Sequence, residues 1–74
     1  MTSEELKISL MLLGYKNTGT MAVGYIWQVM TNNSIVEHRK MDNKYIIWLW
    51  DGSNILVDTP EEVLAELEAN NDII

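Results

Sequence analysis

The sequence has no cysteine and a single histidine, His38. The first absence rules out disulfide bonds and thiolate metal sites, and the second leaves zinc without a ligand set. No lysine or arginine follows Lys44, although seven acidic residues do: Asp51, Asp58, Glu61, Glu62, Glu66, Glu68 and Asp72. Phosphate contacts need clustered basic side chains, so direct binding to nucleic acid is not expected. The longest apolar runs, residues 10–13 and 45–50, fall far short of the roughly 20 residues that span a bilayer. Met1 is followed by Thr-Ser-Glu-Glu, acidic where a signal peptide is basic. A cytoplasmic protein without membrane attachment is the expectation.

Seventy-four residues, 47% of them hydrophobic, make one domain. A chain of this size buries only about 60 to 65% of the surface it exposes when unfolded. With disulfides and metals excluded, the remaining supports are a well-packed core and self-association. The net charge of −6 is uneven, because all five basic residues lie at or before Lys44. Such polarity suits a basic partner surface, or mimicry of a nucleic acid by carboxylates. The plainer reading of an acidic helix face is a solvated one.

Residues 44–52, KYIIWLWDG, organise the rest. As a strand they place Tyr45, Ile47 and Leu49 on one side and Ile46, Trp48 and Trp50 on the other, so both faces are apolar. A domain this small can cover one such face well, and the second awaits a helix or a partner.

Upstream, Thr2 as N-cap with Glu5 three residues on gives a capping box. A helix over residues 3–13 follows, with Leu6, Leu10 and Leu13 as its stripe and Ile8, Met11 and Leu12 widening it. So broad an apolar surface suggests cover on more than one side. Gly14 stops the helix, and residues 15–19 read as a polar connection. Gly14, Gly19 and Thr20 have the outer spacing of a phosphate-binding loop, but its lysine is missing and the segment follows a helix instead of a strand. Residues 20–31 alternate as a strand, with Met21, Val23, Tyr25, Trp27 and Val29 as the core face and Gly24 marking a bulge or a close approach. A turn at residues 31–34 leads to a return strand over 35–41, whose Glu37, Arg39 and Lys40 are what an edge strand carries. Turns at 42–44 and 51–54 flank the apolar strand, and residues 55–57 form a short last one. Thr59, Pro60 and Glu62 then open a second helix with the inward stripe Val63, Leu64 and Leu67. Asn70 and Asn71 end it, and residues 72–74 form a tail that is either flexible or packed back through its two isoleucines. The fold class is α+β: an antiparallel meander of three to four strands flanked by an N-terminal and a C-terminal helix, in the order α-β-β-β-β-α. With both helices on one face, part of the set Trp27, Trp48 and Trp50 is carried into solvent on the other.

No catalytic, cofactor-binding or metal-binding residue is expected. His38 is the only imidazole, and on an edge strand it reads as a surface histidine with no nucleophile selected for it. Glu62 and Glu66, four apart on a helix, could share a hard cation but lack the further oxygen ligands that one needs. The informative residues are the tryptophans, enriched both in cores and at binding hot spots. Candidate partner-binding residues are Trp27, Trp48, Trp50 and Tyr45 on the sheet, and Glu61, Glu62 and Glu66 on the acidic helix.

The expected function is that of a non-enzymatic, acidic protein-binding module that blocks or sequesters a larger protein. In size and composition the chain has the general look of small phage-encoded inhibitors of bacterial defence systems, a likeness of composition that no motif carries. The alternative is a homo-oligomeric structural or assembly protein that pairs its apolar sheet faces.

Overall fold

The computed structural model describes residues 1–18 and 24–70. Two helices, α1 (Ser3–Leu12) and α2 (Pro60–Ala69), flank five strands: β1 (Lys16–Asn17), β2 (Tyr25–Met30), β3 (Ser34–Arg39), β4 (Tyr45–Leu49) and β5 (Asn54–Val57). The strands form one antiparallel sheet in chain order, β1-β2-β3-β4-β5. The α+β class and the flanking helices are as expected. The sheet has five strands, one more than the longest meander anticipated. The additional strand is the two-residue β1, too short and too polar to show a period.

Both helix starts follow from their caps. The Thr2 hydroxyl accepts from the Glu5 N–H at 3.2 Å while the Glu5 carboxylate accepts from the Thr2 N–H at 2.8 Å, the reciprocal bonds of a capping box. At α2, the Thr59 hydroxyl accepts from the Glu62 N–H at 3.2 Å, with Pro60 inside the first turn. The end of α1 is a Schellman motif: Gly14 takes φ +108°, its N–H reaches the Met11 carbonyl at 3.1 Å, and the Tyr15 N–H reaches the Leu10 carbonyl at 3.0 Å. Leu10 and Tyr15 are both buried, the apolar contact that accompanies this motif.

The strand register sorts the sheet into two faces. One face has the rows Trp27, His38, Tyr45, Val57 and Val29, Val36, Ile47, Ile55. Leu6 and Leu10 of α1 and Val63 and Leu67 of α2 pack on it, and together they make one core cluster among the described residues. Both helices therefore cover the same face. The other carries the rows Gln28, Glu37, Ile46, Leu56 and Met30, Ile35, Trp48, Asn54.

Several expectations are corrected. β3 is the middle strand of the sheet, not an edge: its charges alternate with Ser34, Val36 and His38, all buried, so Glu37 and Arg39 belong to the uncovered face. α1 is covered on one side only, leaving Ile8, Met11, Leu12 and Leu13 exposed. The register shifts between Tyr25 and Trp27, so that Tyr25 pairs with Arg39 while Trp27 pairs with His38. The bulge, next to Gly24, moves Tyr25 off the core face that it was expected to share with Trp27 and Val29. Met21 and Val23, and the tail at 72–74, lie outside the described residues.

Candidate interaction surface

Tyr45, Ile46 and Ile47 are buried and Leu49 packs half-buried against the core, while Trp48 and Trp50 turn outward. Trp48 is 38% exposed and Trp50, beyond the end of β4, is 80% exposed. The Trp48 indole N–H donates to Glu37 across the strand pair at 2.9 Å, which ties the ring to β3. Leu49 and Gly52 set the hairpin that carries Trp50: the Leu49 N–H reaches the Ser53 carbonyl at 2.9 Å, and Gly52 takes φ +89°. Asp51, beside Trp50, accepts from the Ser53 hydroxyl and N–H at 2.6 and 2.9 Å. These bonds, the hydroxyl first, hold its carboxyl below the usual carboxylate range. A groove of about 230 Å³ runs between the β2–β3 turn and this hairpin, lined by Met30, Ile35, Trp48 and Trp50 among others. With Leu56 on β5, these residues make the uncovered face aromatic and aliphatic.

The other sequence candidates fall elsewhere. Trp27 and Tyr45 are core residues, each 5% exposed, because they share the helix-covered row with His38. They are therefore not contact residues. Glu61 and Glu62 are exposed and Glu66 half-exposed on α2, on the helix side of the molecule. The N-terminal ammonium of Met1, 3.0 Å from Glu61, holds that carboxyl below its ordinary value. Among the described residues no three carboxylate or imidazole side chains are placed to hold a metal ion, and no helix is long and apolar enough to cross a membrane. Met30, Ile35 and Leu56 were not candidates from sequence. Their signal is the phase of each strand relative to its buried neighbour, as with Leu56 beside Val57.

His38 is a correction as well. It is 4% exposed, stacked on Tyr45 at 4.4 Å between ring centroids, and tilted against Trp27. Its Nδ1 lies 2.6 Å from the Ser3 hydroxyl and its Nε2 2.6 Å from Asn43 Oδ1. Asn43 Oδ1 can only accept, so Nε2 carries the ring proton and Nδ1 accepts from Ser3. The Ser3 oxygen in turn accepts from the Trp27 indole N–H at 2.8 Å. The series Ser3, His38, Asn43 has the outline of a nucleophile, a base and an orienting amide. Ser3 Oγ and both ring nitrogens of His38 nevertheless have their partners within the network, and neither the groove by the hairpin nor the hollow beside Gly14 and Lys16 is lined by Ser3 or His38. What it does is fasten the start of α1 to β3 and to the β3–β4 turn.

Comparison with protein-family models, curated proteins and solved structures finds no match. Function has to be read from the geometry.

Proposed function

We propose that this chain is a non-enzymatic protein-binding module that docks through the open face of its sheet. The observation that carries the reading is the placement of both helices on one face, which leaves Trp48, Trp50, Met30 and Leu56 exposed together on the other. Monomers rarely leave a patch of this kind in water, and tryptophan is enriched among the central, desolvated residues that dominate binding energy. Such a module acts by occupying what it covers, so its effect on a larger protein is steric blocking or sequestration. The small size and acidity fit an inhibitor of a bacterial host or defence protein, working in the host cytoplasm.

The double variant Trp50→Glu/Leu56→Glu tests the reading. Both side chains are exposed, so helix and sheet content by circular dichroism should be unchanged. Self-association by light scattering, and retention of any protein from bacterial lysate on the immobilised chain, should both be lost. A folded variant that keeps every association of the parent would contradict the proposal.

A further inference from the structure

The charges of the molecule are divided by layer. The two helices hold six carboxylates, Glu4, Glu5, Glu61, Glu62, Glu66 and Glu68, against Lys7 alone, a net of −5. The strands and turns are balanced: Lys16, Arg39, Lys40 and Lys44 against Glu37, Asp42, Asp51 and Asp58. The net charge of −6 is thus a property of the helix layer, with Asp72 supplying the remainder. Two copies that met through their helices would bring these like charges together. Through the open sheet faces they meet without net repulsion, and both acidic layers point outward.

We infer that the occupant of the open face is a second copy of this chain, giving a twofold dimer with the sheets face to face and the helices outside. The inference rests on the proposed docking role of that face, which the second copy occupies in the free protein and gives up when a larger protein takes its place. Glu37 and Arg39 lie two apart on β3, the middle of the five strands, with opposite charge on the uncovered side. In a twofold contact each surface meets itself, so a residue that touches another is touched by its equivalent in return. With β3 antiparallel to its copy and the twofold axis passing beside His38, Arg39 of each chain lies toward Glu37 of the other, so the face offers opposite charge to itself. Arg39 already has Asp42 at 3.4 Å and Glu37 already accepts from Trp48, so both charges are held in place before contact. A stable interface takes about 800 Å² from each partner, roughly a sixth of the 4731 Å² that this chain exposes. That is one side of a block whose extents are 29 × 25 × 22 Å.

Light scattering behind a sizing column, at tens of micromolar, tests the inference. The wild-type chain should have twice the monomer mass of 8.5 kDa, and Leu56→Glu should return it to the monomer mass. Glu37→Arg and Arg39→Glu should each be monomeric alone, since either makes like charges meet. Mixed in equal amounts they should recover the doubled mass. A wild-type chain that stays at 8.5 kDa overturns the self-pairing while leaving the docking face to be judged by the Trp50→Glu/Leu56→Glu variant. A doubled mass that survives Leu56→Glu, or a mixture that stays monomeric, also overturns it.

Discussion

Ser3 shows how one small side chain can hold a layer in place. Its hydroxyl donates to His38 and accepts from Trp27, so Ser3→Ala leaves an indole N–H and an imidazole nitrogen unpaired in the interior. A loss of about 1–3 kcal/mol in unfolding free energy is expected, the cost of stranding buried polar groups. Urea unfolding measures it, and unchanged stability would mean that the network is decorative. Asn43, at φ +59°, should tolerate Asp, which keeps the acceptor, better than Gly, which suits the backbone but removes it. The environment of His38 was not legible in the sequence, because Ser3 stands 35 residues away and only the fold brings them together. The opposite case is Trp50: its place after an alternating run and before Asp-Gly already put it at a strand end, and the structure leaves it exposed.

Among the elements, those with local signals were readable and those defined by neighbours were not. Thr2 with Glu5, Gly14, and Thr59 with Pro60 mark helix ends through short-range bonds, and each stands at an end of α1 or α2. Whether β3 is central or at an edge depends on what lies beside it. Glu37 and Arg39 look like edge protection until the covered face is known. The cap of α1 also carries a pH dependence. Backbone and hydroxyl bonds from Thr2 lower the Glu5 carboxyl below its ordinary value. A depressed carboxyl stabilises the folded form above the unfolded carboxylate range and ceases to do so as pH falls through its folded value. Amide hydrogen exchange in the first turn of α1 should therefore show protection, corrected for intrinsic rates, that declines on acidification through that range. Glu5→Gln should flatten this local decline; an equal decline in the variant would assign it to another group. At α2, Thr59→Ala should cost about 1 kcal/mol, as loss of an N-cap does, read by urea unfolding.

On the scale of the whole molecule, one chain of 74 residues makes two layers with different characters. The helices are acidic, and the outward side of the sheet is neutral and aromatic. That division was half visible in the sequence, where both faces of residues 44–52 were apolar and the late acidic residues had no basic counterpart. Which face the helices would cover was not visible, because either side of the strand offers large apolar groups. Acrylamide quenching of tryptophan fluorescence, followed as protein concentration rises, tells the covered face from the docking face. In dilute solution Trp48 and Trp50 should be quenched and Trp27 shielded, and at higher concentration the two exposed rings should become shielded as the faces close. Trp27 quenched like the others would contradict the fold, and Trp48 and Trp50 equally quenched at every concentration would contradict the docking of that face against its copy.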